Sequence, residues 1–209
     1  VNRQTQRGSV PERRPMPLPQ QWRRPLPRGA EGVKLAEVNP VVISTIKKCT
    51  AKNQWPLYLW GETGVGKTCG AAAAYALWNQ PSGFLSLTEH CDILKGFNVN
   101  QTQLITTSGG KIELTLTGYW DRLRKLGLVV IDEIGTRDAS PQRYDSLLRL
   151  LEIRHGKPLI LTGNIEPTVK LATVYDERVQ SRIVAGVILQ VLGNDRRLDG
   201  LRERVVVAE

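Results

Sequence analysis

The chain has little of the chemistry that sulfur and imidazole supply. Its three cysteines, Cys49, Cys69 and Cys91, are odd in number and share no C-x-x-C spacing, and its two histidines, His90 and His155, stand alone. A disulfide framework and a zinc ribbon are therefore not expected, and a reducing, cytoplasmic setting is. No apolar run approaches the roughly 18 residues a membrane span needs, so no membrane partner is expected. The N-terminal stretch is charged and lacks the apolar centre of a secretory signal. Aromatics are scarce (2 Phe, 5 Trp and 5 Tyr) and do not interleave with basic residues, which gives no stacking platform for nucleobases. Acidic residues are outnumbered, 20 against 29 basic ones, for a net charge of +9. That imbalance favours a polyanionic partner.

What is present is a 209-residue chain, 41% hydrophobic and 23% charged, an ordinary composition for one globular domain with a tail. The tail is the first stretch, residues 1–38. Through Pro40, the chain holds seven of its twelve prolines, and eight basic residues against three acidic ones. Proline removes backbone donors and like charges repel, so this segment is expected to be disordered or extended: a solvated linker, a docking peptide or a basic arm. From Asn39 onwards the pattern becomes that of a domain, expected to run to about residue 198, with 199–209 as a short C-terminal tail.

Within 39–198, short apolar runs alternate with helical periodicities. Asn39-Pro40 reads as an N-cap and first helical residue, followed by Val42, Ile46 and Cys49 at helical spacing. Strands are predicted at Leu57–Trp60, Gly83–Leu87, Leu128–Ile131, Leu159–Leu161 and Val187–Leu192. Helices are predicted from Lys67 through the alanine run to Trp78, over Glu89–Lys95, around Tyr119, Leu123 and Leu126, from Ser140-Pro141 along the stripe Tyr144, Leu147, Leu148 and Leu151, and over Asp176–Val184. In 98–117, Ile112, Leu114 and Leu116 alternate with polar residues after Gly109-Gly110, a hairpin pattern. This alternation predicts an α/β fold, a parallel sheet sandwiched by helices.

The segment Gly61-Glu62-Thr63-Gly64-Val65-Gly66-Lys67-Thr68 matches G-x-x-x-x-G-K-[ST] at every fixed position, after a predicted strand and opening a predicted helix. The glycines let backbone N–H groups turn towards phosphate oxygens, and the helix N-terminus adds partial positive charge. Lys67 is placed for the β- and γ-phosphates of ATP, and Thr68 for Mg²⁺. Leu128–Ile131 runs into Asp132-Glu133 at the strand end where α/β sheets build their sites. Asp132 would hold Mg²⁺ through water and Glu133 would polarise the attacking water. Leu161-Thr162-Gly163-Asn164 places a polar Asn at another strand end, where it would position that water. Arg178 and Arg182 lie four apart on one helical face, as arginines reaching a neighbouring subunit's phosphates would, or as partners in local ion pairs. Arg122, Arg124 and Lys125 form a basic cluster whose default reading is a solvated face.

The order of these segments, Leu57–Thr68, Leu128–Gly135, Leu161–Asn164 and Tyr175–Arg182, resembles the AAA+ P-loop NTPases, and more narrowly the bacterial DnaC-like helicase loaders and their transposon relative IstB. The resemblance spans about Asn39 to Leu198. It implies that Asn164 is the sensor 1 residue, that Arg182 in Ser181-Arg182-Ile183 is an arginine finger, and that Arg178 is its companion. It also implies an ATPase forming homo-oligomers with composite ATP sites, which binds single-stranded DNA and acts on a replicative helicase. No C-terminal helical lid is expected after the last strand, although Arg196 or Arg197 could stand in for a lid arginine. The rival readings are an IstB-like transposition helper on duplex DNA, a nucleotide-switched adaptor with little hydrolysis, and a small-molecule kinase.

Overall fold

The computed structural model describes residue 26 and residues 38–107, 110–135 and 140–194. The readings of 1–38 and 199–209 as tails, and of Arg196 and Arg197 as lid substitutes, concern residues that, apart from Leu26 and Val38, lie outside that range. The order of elements is α1 Pro40–Lys52, β1 Leu57–Trp60, α2 Lys67–Leu77, β2 Ser82–Ser86, α3 Leu87–Val99, β3 Thr102–Thr107, β4 Gly110–Thr115, α4 Leu116–Lys125, β5 Leu128–Ile134, α5 Pro141–Ile153, β6 Leu159–Gly163, α6 Lys170–Val174, α7 Glu177–Val184 and β7 Val187–Gln190.

Five strands form one sheet in the order β2-β5-β6-β1-β7, with every neighbouring pair parallel. Side chains alternate between its two faces, as the period of a strand requires. On β5, Val129 and Ile131 join one apolar cluster while Leu128 and Val130 join the other; on β6, Leu159 and Leu161 divide from Ile160 in the same way. The first cluster lies under α3, α4, α5 and α7, and the second under α1 and α2. Both faces are covered, so β1, β5 and β6 read as continuous apolar runs rather than alternating ones.

Local signals explain most boundaries. The Asn39 side chain accepts from the Val41 N–H at 2.9 Å and Pro40 opens α1. Ser140 caps α5, Thr115 caps α4 and Ser86 caps α3. Helix α2 carries four consecutive buried alanines, Ala71–Ala74, because it is enclosed on most sides, and small residues let α1 approach closely. The hairpin expected in 98–117 is β3–β4, paired from Thr102↔Thr115 to Thr107↔Gly110. The basic residues Arg122, Arg124 and Lys125 fill the last turn of α4, where cations complement the helix dipole.

Some elements differ from the sequence reading. The capping bond from Ser86 starts α3 at Leu87, so β2 is Ser82–Ser86 and α3 extends on to Val99. Helix α6 is only five residues long and carries too few apolar positions for a periodic signal. Strand β7 ends at Gln190 rather than Leu192. Strand β5 continues past Ile131 through both carboxylates to Ile134.

Candidate functional site

The three central strands of the sheet, β5, β6 and β1, end side by side. Gly163 is the common register partner of Trp60 on β1 and Ile134 on β5. A side chain on Gly163 would collide with the Ile134 carbonyl oxygen at 2.6 Å and the Tyr58 hydroxyl at 2.7 Å, so a glycine is needed for the strand ends to converge. This register brings Gly61–Thr68, Asp132-Glu133 and Asn164 to one edge.

After β1 the chain turns through Gly64 and Gly66, at φ +82° and +95°, into the N-terminus of α2. These positive values suit glycine, which has no Cβ to clash. Lys67, only 8% exposed, turns its ammonium back into the loop and donates to the carbonyls of Gly61 at 2.9 Å and Glu62 at 2.5 Å. A buried cation facing carbonyls at a helix N-terminus is suited to an anion, because phosphate oxygens would offer it opposite charge.

Thr68 follows on α2 and donates to the Asp132 carboxylate, 3.0 Å from one oxygen and 3.2 Å from the other. Asp132 is 5% exposed. Burial pushes its carboxyl up from the ordinary range, and bonds from Thr162 and Thr68 and the charge of Lys67 pull it back. The donor set fits Mg²⁺, a hard cation that takes oxygen ligands: the Thr68 hydroxyl would face it and the Asp132 carboxylate would hold one of its waters. Among the described residues no three His, Cys, Asp or Glu side chains are grouped to hold a metal. A Mg²⁺ here would thus be one that completes its shell with waters and phosphates.

Strict alternation would send Asp132 and Glu133 to opposite faces of β5. A bulge interrupts that alternation: Ile131 pairs with Leu161 and Ile134 with Gly163, so β5 carries one extra residue. Glu133 takes φ +61° at that point, an uncommon conformation for a residue with a side chain. Asp132 is left buried and Glu133 exposed at the sheet edge. Thr162 on the neighbouring strand stabilises the bulge, donating to Asp132 and accepting from the Glu133 N–H at 3.1 Å. Sequence reasoning did not single out Thr162; its only signal is a polar residue inside an otherwise apolar strand run.

Asn164 is exposed just beyond β6 and donates through its amide to the Thr63 hydroxyl of the glycine-rich loop at 3.3 Å. The two arginines lie elsewhere. Arg182 on α7 donates to Glu152 of α5 at 3.0 Å and to the Arg178 carbonyl at 3.1 Å. Arg178 is three-quarters exposed, 3.9 Å from Asp176. Lys67, Thr68, Asp132, Glu133 and Asn164 are thus brought together, and Arg178 and Arg182 are held apart from them on the α5–α7 side.

No family model and no curated protein matches the chain. Solved structures do. DnaI is 21% identical, with a TM-score of 0.63 over 81% of this chain and 96% of that one. The DnaC helicase loader is 17% identical, with a TM-score of 0.58 over 73% of this chain and 89% of that one. AMPPCP-bound DnaA from Aquifex aeolicus is 14% identical, with a TM-score of 0.58 over 82% of this chain. The chain spans about half the length of that DnaA (52%) and of a DNA replication initiation factor (53%). Sheet order, glycine-rich loop and neighbours agree: the chain has the AAA+ P-loop NTPase fold, which it shares with DnaI and with the DnaC helicase loader.

Proposed function

We propose that the protein is an Mg²⁺-dependent ATPase of DNA replication that loads or remodels a replicative helicase on single-stranded DNA. The observation that carries the ATPase reading is the unbroken set of hydrogen bonds from Thr68 through Asp132 and Thr162 to Glu133 at one sheet edge, with the buried Lys67 ammonium turned into the glycine-rich loop beside it. The DnaC helicase loader and a DnaA solved with AMPPCP, both among the structures that share the fold, support the replication role and the nucleotide.

The backbone N–H groups of 61–68 cradle the phosphates, and Lys67 exchanges the Gly61 and Glu62 carbonyls for β- and γ-phosphate oxygens. Thr68 and Asp132 hold Mg²⁺, which when bound neutralises the charge on those phosphates. Glu133, exposed at the edge, accepts a hydrogen bond from the attacking water and draws its proton. Asn164 orients the same water from the far side of the loop. Arg182, on an exposed helix face away from its own loop, serves the γ-phosphate of an adjacent copy, with Arg178 beside it. The site is then composite and the active form a homo-oligomer. The net charge of +9 supports a sequence-independent, salt-sensitive grip on DNA.

The partner is tested by trapping. The full-length Glu133→Gln chain is loaded with ATP and used to capture proteins from its native host, and the purified protein is titrated with labelled single and double strands at several salt concentrations. A co-captured hexameric helicase and a preference for single strands are expected. A co-captured transposase with a duplex preference would replace this reading with the transposition helper.

A further inference from the structure

Glu133 needs external support, because a left-handed backbone at a residue with a side chain persists only where its surroundings hold it. Two hydroxyls grip the chain on either side of the carboxylate. Thr162 takes the Glu133 N–H from the adjacent strand. Two residues on, the Gly135 N–H donates to the Tyr175 hydroxyl at 2.9 Å. Tyr175 is 40 residues away in sequence, in the link between α6 and α7, with its ring packed against the core. Burial pushes its hydroxyl up to about 12, so it stays neutral throughout the physiological range.

The next residue extends the connection. Asp176 caps α7 by accepting from the Val179 N–H at 2.9 Å, and it also accepts from the Tyr144 hydroxyl of α5 at 2.6 Å. Tyr175-Asp176 therefore joins the end of β5 to α5 and to the start of the helix that carries Arg178 and Arg182.

We propose that Tyr175 is a positioning residue for Glu133: its hydroxyl fixes the backbone beyond the bulge, so the aim of the carboxylate is tied to the placement of α7. This rests on the reading of Glu133 as the group that activates water. Movement of α7 against a neighbouring copy would then be felt at the carboxylate through the Gly135–Tyr175 hydrogen bond.

The test compares Tyr175→Phe, Glu133→Gln and the double variant, with turnover counted per nucleotide-binding site. Tyr175→Phe keeps the ring and removes only the acceptor. ATP affinity should stay within about twofold while kcat falls by about tenfold or more, since a misplaced catalytic group costs on that order. The double variant should be no slower than Glu133→Gln alone, because the hydroxyl acts through the carboxylate. If Tyr175→Phe turns over like the wild type while Glu133→Gln is inactive, the positioning role is wrong and the reading of Glu133 stands. If Glu133→Gln itself turns over normally, the underlying reading is the one that fails. Losses that multiply in the double variant would show an independent role and overturn the proposal. Hydrogen exchange in the wild-type protein provides a check that needs no variant: the Gly135 amide should be protected, and rapid exchange there would contradict the bond on which the proposal is built.

Discussion

Among the buried charged side chains, Arg154 and Asp132 lie at opposite ends of the sheet's strands and are partnered in different ways. Arg154, 2% exposed, lies between α5 and β6. Its guanidinium donates to the carbonyls of Leu123 at 3.2 Å, Arg124 at 3.4 Å, Leu126 at 2.6 Å and Pro158 at 2.5 Å. Burial lowers its pKa to about 10, so it remains charged at neutral pH and ties down the negative end of α4. Asp132 is bonded instead by hydroxyls from α2 and β6, beside the Lys67 ammonium. Carbonyls are fixed once the chain is folded, whereas hydroxyls and a flexible ammonium can exchange partners. A buried guanidinium locked onto the four carbonyls of Leu123, Arg124, Leu126 and Pro158 belongs to the fold, whereas a carboxylate held by side chains of separate elements at a strand end, beside an ammonium on a flexible stem, is free to meet a ligand.

The comparison breaks most sharply at Lys67. Lys67→Ala should abolish tight ATP binding while leaving the melting temperature close to wild type, because the loop lies at the edge of the core; nucleotide titration and thermal melts read both. Next in size is Arg182→Ala, expected to bind ATP nearly normally and to lose on the order of 10³-fold in hydrolysis. Each of these variants alone should be nearly inactive, and mixing them should restore part of the activity wherever an intact loop meets an intact Arg182. Co-assembly without recovery at any ratio would place Arg182 in its own subunit's site or outside the chemistry.

Arg154→Leu should do the reverse of Lys67→Ala. Several buried carbonyls lose their donor at once, for roughly 2–4 kcal/mol and a melting temperature lower by about 5–10 °C, with ATP affinity of the folded protein unchanged. The smallest effect concerns His90, which is fully buried, bonded to the Tyr119 hydroxyl at 2.7 Å and lowered by burial to about 4. Its folded pKa lies below the unfolded value of 6.5, so the unfolded chain takes up the proton first and stability falls as pH drops through that window. Melting temperatures between pH 7 and 5 should decline, and His90→Gln should flatten the slope.

The sheet and the phosphate loop were legible because their signals are local: fixed spacing at Gly61–Thr68, apolar runs that end in Asp132 or Asn164, and capping residues at Asn39 and Ser140. The bulge was not, since one extra residue in β5 becomes visible only against the register of β6. Thr162 and Tyr175 show no role in supporting Glu133 until the strands are brought together, and Arg154 looks like a surface cation at the end of α5. Long-range hydrogen bonds leave no periodicity in a sequence, and the supports of this site are of that kind.

Turnover by the full-length Glu133→Gln protein, measured together with its ATP affinity and with Mg²⁺ present, is the most direct test. The amide keeps the size of the carboxylate but cannot draw a proton from water. Retained ATP binding with hydrolysis reduced by at least about tenfold is the result this mechanism requires. Hydrolysis at the wild-type rate with normal binding would contradict it, and would mean that the carboxylate held over the bulge is not the group that activates water.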